Sequence, residues 1–285
     1  MNTRIIALLA VHNRCELTLK SLENLFEQEG NGTLFDLTAI VVDDGSTDGT
    51  SAAIEKKFPQ VRLVRGDGSL FWCGGMCRAY EESADLKTDF YLLLNDDTFV
   101  YSDAIQRVLE AYKEKHTVKD ADHIIVGSTC APSTRELTYG GSERVSNWHP
   151  FRYNLVEPKG GVQPCDTFNG NFVLIPKLVI EKIGFLDSHY THRIGDTDYG
   201  LTASEAGCKL WVAPGFIGEC SKNSPKINWD SAVLSFIDRV KMLDSVKGMP
   251  VRESRRFYKK HGGVFWPLFW IMPMIRGLFF PTRYP

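Results

Sequence analysis

Two apolar runs in this chain end in crowded acids, and that placement limits what it can fold into. "TAIVVDDGSTDGT" (38–50) and "FYLLLNDDT" (90–98) each carry core-type residues straight into paired carboxylates. Neighbouring carboxylates repel and resist burial unless donors or a cation compensate them. The runs are continuous rather than alternating, as expected for strands covered on both faces. Arg4–Val11 reads as a first strand and 37–42 as a second, with helical spacing over 15–28 and 50–58. A short strand over 61–65 and a helix over 75–86 lead into the strand at 90–94. An amphipathic helix over 102–115 starts at Ser102 and Asp103, good capping residues, and a further strand covers 123–128. Such alternation predicts an α/β fold: a mixed, mainly parallel sheet flanked by helices.

From about residue 129 the pattern becomes irregular and rich in Gly, Pro, Trp and Tyr. Order returns over 168–184, a strand followed by a helix opened by Pro176, then a helix over 196–207 stopped by Gly207 and a short strand over 209–213. No internal repeat or obvious linker is present, so the reading is a main domain over 1–225 and a helical region over 226–285. The chain has 285 residues and a formal net charge of −2, which removes the strongest argument for a nucleic-acid partner. Its first apolar run, Ile5 to Val11, meets His12 and Asn13 and reads as a buried strand, not a signal peptide. Seven cysteines without metal-type CxxC pairs fit reduced thiols and a cytoplasmic location.

Ligands of open α/β sheets collect at the carboxyl ends of the strands. Sorting the acids by that rule brings together Asp43 and Asp44 after one strand, and Asn95, Asp96 and Asp97 after another. A divalent ion carrying a diphosphate would neutralise such a pocket, since hard cations prefer oxygen ligands. Ordinary turn chemistry explains either pair alone; both pairs at neighbouring strand ends favour a site. "GDGSLFWCGGM" (66–76) adds Gly68, Gly74 and Gly75, whose bare backbone can approach a phosphate at a helix start, and Trp72, an aromatic wall. A Gly-rich turn with a core tryptophan is the equal alternative.

In order and spacing, "AVHNR", "VVDDGSTDGT", "LLLNDDT", "NGNFVLIP" and "GDTDYGLTASEAG" resemble family 2 glycosyltransferases, inverting enzymes of the GT-A fold. The similarity spans about residues 4 to 220 and is greatest to bacterial rhamnosyl- and galactofuranosyltransferase types that build surface polysaccharides such as O-antigen. It implies that Ala10, His12, Asn13, Asp43, Asp44, Gly68, Trp72, Gly74, Gly75 and Asp96 line a nucleotide cleft, with Asp44 accepting from a uracil or thymine imide. It further implies a divalent cofactor, Mg or Mn, on Asp97, with Asn95 standing where the family carries an acid. Glu219 is a second candidate metal ligand, placed where some relatives have a histidine. Asp196 aligns with the catalytic base, and Gly195 replaces the acid before it. Asn169, Asn171 and Asp198 are expected near the donor and acceptor sugars. Helix capping is the plain alternative for Asp196 and Asp198.

The implied partners are a UDP- or dTDP-type nucleotide-sugar and a growing glycan or lipid-linked glycan. A nucleotidyltransferase on a similar sheet is disfavoured by the single Arg14 after the first strand. A catalytically silent sugar-binding protein is supported only by Asn95 and Gly195. At the C-terminus, five basic residues (Arg252, Arg255, Arg256, Lys259, Lys260) precede seventeen mostly apolar ones, Val264 to Phe280, broken by Pro267, Pro273 and Arg276. That stretch is too short and interrupted to span a bilayer but suits an anionic interface. The expectation is peripheral attachment to the inner leaflet of the inner membrane. Packing on its own domain, or on a second copy in a homo-oligomer, is the alternative.

Overall fold

The structure is a computed structural model, and it describes residues 2–116, 122–146, 148–192, 194–222, 228–246 and 248–282. The unbroken apolar sequence of β1 (Thr3–Val11) makes it a central strand, with Ile5 to Leu9 essentially inaccessible to solvent. It pairs in parallel with β2 (Phe35–Asp43) on one side and β4 (Phe90–Leu94) on the other. β3 (Arg62–Arg65) continues the sheet beyond β2, also in parallel. The carboxyl ends of β1, β2 and β4 therefore share one edge, where their acids lie.

Beyond β4 the sheet changes sense. β12 (Phe172–Pro176) lies antiparallel between β4 and β6 (His123–Cys130), and β13 (Lys209–Glu219) runs parallel to β6. Short strands finish the periphery: β5 (Phe99–Val100) on β13, β7 (Leu137–Tyr139) on β6, and β10 (Gln163–Cys165) on β13. A separate small sheet forms from β8 (Gly141–Arg144), β9 (Tyr153–Leu155) and β11 (Thr167–Phe168).

Two apolar layers hold this together. One face of the sheet packs on α1 (Cys15–Phe26), α2 (Thr50–Lys57) and α4 (Ala104–Lys115), through Leu22, Leu25, Ile54 and Val108. The opposite face packs on α3 (Phe71–Glu81), α5 (Lys177–Ile183) and α6 (Gly195–Glu205), through Met76, Ile180 and Leu201. α3 begins four residues before the expected start at 75, bringing Phe71 and Trp72 into its first turn.

The C-terminal region is helical: α7 (Phe236–Leu243), α8 (Val251–His261) and α9 (Trp266–Phe279). Phe257 of α8 belongs to the same buried cluster as Met76 and Leu201, so α8 closes the core beside α6. The expected boundary at 225 lies outside the described residues. No helix among the described residues is long and apolar enough to cross a membrane.

Candidate active site

The loops after β1, β2 and β3 are tied into one wall by carboxylates that face apart. Asp43 accepts from the Ser46 amide at 3.0 Å and from the Ser51 hydroxyl, ordering the turn that starts α2. Asp44 points the other way. Its Oδ1 accepts from the Gly68 amide at 2.9 Å and its Oδ2 from the Phe71 amide at 2.8 Å. Gly45, at φ +74, lies so close to Gly68, at φ +90, that a Cβ on it would sit 2.9 Å from the Gly68 nitrogen. Only glycine meets both the left-handed backbone and the close approach. Phe71 is held in the left-handed region at φ +53, sparsely populated for a bulky residue, while its amide is bound to Asp44.

His12 Nδ1 faces the Asp44 carbonyl at 2.7 Å and so carries the proton there. Its Nε2 lies 3.0 Å from the Asn13 side-chain nitrogen, which donates to it. Asn13 Oδ1 accepts from the Thr47 amide at 2.8 Å. Ala10 packs beneath α3, where a Cβ on Gly75 would meet its own Cβ at 2.7 Å. The first turn of α3 is less open to phosphate than its sequence suggests, because the Phe71 amide serves Asp44 and the Cys73 amide serves the Thr191 carbonyl. Gly74 and Gly75 thus set helix packing rather than offer free donors.

After β4, Asn95 Oδ1 accepts from the Trp72 indole at 2.7 Å. Arg14 donates to Asp96 at 3.1 Å and to Asp97 at 2.8 Å, a shared cation for two crowded acids. Burial pushes the Asp96 carboxyl up to about 6, against the lowering pull of Arg14 and with a further push from Asp97. Asp97 Oδ1 also meets the Cys220 thiol at 3.6 Å. Glu219 was expected at this point but is directed elsewhere. Successive strand residues face opposite ways, and Glu219 pairs with Arg135 at 3.0 Å while Cys220 turns toward Asp97. Among the described residues no group of three or more His, Cys, Asp or Glu side chains is arranged to cage an ion. The carboxylates of Asp96 and Asp97 fit a magnesium-like ion, which takes one or two carboxylates and fills its shell with phosphate oxygens and water.

At the start of α6, Asp196 accepts from the Gly170 amide at 2.9 Å and the Thr197 amide at 2.7 Å. Burial lifts its carboxyl above the ordinary range, and those N–H donors oppose the shift. A side chain at Gly170 would collide with Trp72, whose ring carbon lies 2.5 Å from the Cβ position. Trp72 therefore joins the loop bearing Gly170 to Asn95, and so joins Asp196 to the acids after β4. Gly195 stands where an acid was expected because its Cβ position lies 2.7 Å from Cys73 Sγ.

Three expected sugar contacts fare differently. Asn169 is partly exposed near this junction. Asn171 is only 5% exposed, with its amide turned to Thr98 and Cys220 at 3.5 and 3.6 Å. Asp198 is not available to a sugar: it is 2% exposed and accepts from Lys260 at 2.7 Å, His261 at 2.9 Å and Tyr190 at 2.9 Å. Burial alone would lift its carboxyl, but His261, Lys260 and Tyr190 hold it below the usual range. Sequence reasoning missed Arg14 as the counter-ion, Phe71 as a strained neighbour of Asp44, and the α8 partners of Asp198. "VHNRC" carried a signal for the first, a lone cation following the first strand.

Four similarities to known proteins accompany this geometry. The family model described as "Glycosyl transferase family 2" matches residues 7–170. The solved structure of mannosyltransferase PcManGT from Pyrobaculum calidifontis in complex with GDP-Man and Mn2+ is similar over 98% of this chain and 72% of its own, at TM-score 0.55 and 14% identity. S. aureus TarS 1-349 is similar over 91% and 70%, at TM-score 0.54 and 12% identity. Another S. aureus TarS structure is similar over 93% of this chain and 44% of its own, at TM-score 0.55 and 14% identity. No curated protein matches in sequence.

Arg14 offers a direct test of how these acids are held. Arg14→Met should lower unfolding free energy by about 1–3 kcal/mol, discounted for the partial exposure of the pair. A raised carboxyl is neutral below its pKa and needs no counter-cation there, so the loss should be larger at pH 8 than at pH 5. Urea unfolding at both values measures it, and an equal loss at both would contradict the pairing.

Proposed function

The chain belongs to glycosyl transferase family 2 and has its GT-A fold, and from that premise we propose inverting transfer with Asp196 as the base. As a glycosyltransferase it moves a sugar from a nucleotide-sugar donor to an acceptor. The observation that carries the mechanism is the contact chain from Asp196 through Gly170, Trp72 and Asn95 to Asp96 and Asp97. The reading is supported by Gly170 and Asn95 meeting the same edge of the Trp72 indole, with the candidate base behind the one and the candidate diphosphate acids following the other.

In this reading Asp44 receives the imide N–H of a uracil or thymine ring. Each of its oxygens already accepts one N–H and keeps a lone pair, so the carboxylate is a fixed acceptor. His12, Asn13 and Asp43 hold the loops around base and ribose, and Trp72 walls the sugar side. Asp97, with Asp96, would hold Mg2+ or Mn2+ against the diphosphate; when bound, the ion neutralises charge on the departing nucleoside diphosphate. The Mn2+ and GDP-Man of PcManGT support that part of the reading. Asp196 takes the proton of the acceptor hydroxyl. The oxygen then bonds to the anomeric carbon from the face opposite the diphosphate, whose bond breaks with its electron pair. A carboxylate lifted above its ordinary range is a stronger base than a solvated one.

The acceptor is proposed to be a surface glycan on a lipid carrier. α7 and α9 lie together, with Phe236 and Phe279 ring centroids 5.7 Å apart. Phe236, Ile237, Leu268, Met272 and Phe279 are exposed on them. Arg252, Arg255 and Lys259 are exposed on the neighbouring α8, and Arg255 lies over the Trp266 ring at 6.0 Å. An apolar face flanked by cations suits an anionic leaflet.

Asp196→Asn should reduce turnover by about 10²–10⁴-fold while the donor dissociation constant stays within a few-fold. The acid limb of the wild-type rate should lie above about pH 4, the ordinary carboxylate value. Transfer by the variant at the wild-type rate would contradict the assignment. For the tail, truncation after His261 should abolish sedimentation with anionic vesicles and leave donor binding intact; undiminished sedimentation would refute the membrane reading.

A further inference from the structure

One face of α8 is committed to the segment that presents Asp196. Glu253 accepts from the Thr191 hydroxyl at 2.9 Å and the Thr191 amide at 3.2 Å. Arg256 donates to Asp187 at 2.7 Å. Lys260 and His261 donate to the two oxygens of Asp198 at 2.7 and 2.9 Å. Residues 253, 256 and 260 recur at i, i+3 and i+7, so they share one stripe of the helix. Two of the five cations read as lipid-facing in the sequence, Arg256 and Lys260, thus pair with Asp187 and Asp198 while their side chains stay partly exposed.

The segment they grip needs support. α6 starts from Ile194, a β-branched residue at φ +75, a conformation that persists only where its surroundings impose it. Asp198 stands one half-turn after Asp196, its amide donating to the Ile194 carbonyl at 2.7 Å. Its carboxylate is buried, and a buried carboxylate fixed at both oxygens locks the backbone carrying it. His261 is almost wholly enclosed, and its Nδ1 faces Glu205 Oε1 at 2.8 Å. The α8 end therefore bridges the first and last turns of α6.

We propose that Asp198, Lys260 and His261 are positioning residues for the transfer: through them α8 fixes the first turn of α6 and hence the direction of the Asp196 carboxylate. The inference rests on Asp196 being the base. It makes the C-terminal region a part of the catalytic apparatus and not only a means of attachment. α9, which follows α8 after the four residues 262–265 and bonds back to it from Trp270 to Ser254 at 3.1 Å, would then act on the same helix that sets the base.

The test is a double-mutant cycle on the full chain, reading turnover under saturating donor and donor affinity by titration. Lys260→Met should lower turnover at least tenfold with the donor dissociation constant within twofold, and Lys260→Arg should restore most of it. In the Asp196→Asn background, Lys260→Met should change the residual rate by less than twofold. An equal loss in both backgrounds, or wild-type turnover in folded Lys260→Met, would overturn the proposal. If Lys260→Met does not fold, the paired Asp198→Asn/Lys260→Met chain removes both charges together and should still turn over at least tenfold more slowly; wild-type turnover there overturns it as well. Wild-type turnover by Asp196→Asn alone would instead sink the base assignment, so the two failures are distinguishable.

Discussion

Carboxylates gathered at the carboxyl edge of the sheet would repel one another, and the structure is arranged around supplying each with donors. Asp43 and Asp44 face apart and bind separate loops. Asp96 and Asp97 share Arg14, Asp196 takes two backbone amides, and Asp198 takes side chains from α8 and Tyr190. In a low-dielectric setting an uncompensated carboxylate is expensive, and a compensated one is rigid. Compensation thus fixes the acids as well as permitting them. Rigid acceptors suit the proposed donor, which bears an imide N–H at one end and a diphosphate at the other.

The compensation differs in kind along the edge, and so does the chemistry it allows. Asp44 is bound to the loop after β3 by neutral amides, so a ligand adds to an existing acceptor. Asp96 and Asp97 are held by a cation whose side chain is partly open to solvent. The metal-bearing diphosphate proposed above would exchange with such a partner more readily than with a backbone amide. Asp198 sits at the other extreme, itself buried and held by the enclosed His261 and Tyr190 together with the partly exposed Lys260, an arrangement suited to holding geometry. The carboxylates of Asp196 and Asp198, two residues apart, are accordingly separated by environment, one lifted by burial and the other held low by the hydrogen bonds of His261, Lys260 and Tyr190 and the charge of Lys260.

Much of the sheet was readable in advance, because β1, β2, β4 and β6 are unbroken apolar runs bounded by polar turns. β13 was not: Pro214 and Gly215 look like a stop after residue 213, yet the strand runs on to Glu219 through register shifts. Arg107 supports that irregular stretch from the carbonyls of Pro214 and Phe216. The small sheet of β8, β9 and β11 has strands of only two to four residues, too short for periodicity to show. Within the site, the acids were legible because charge beside an apolar run is unusual. What lay hidden was pairing across sequence: Lys260 with Asp198, and Cys220 rather than Glu219 toward Asp97. Pattern reports which residue types occur and at what period; it does not report which face a strand turns after an irregularity, or which distant helix docks.

The central claim is that acids from separate strands converge on one nucleotide-sugar site. Hydrogen exchange read by mass spectrometry, with and without a UDP- or dTDP-sugar and Mn2+, tests it most directly. The account predicts slowed exchange together in segments 43–48, 66–72 and 95–98, with the rest of the chain little changed. Protection confined to the small sheet at 141–168, with those three loops unaltered, would contradict it.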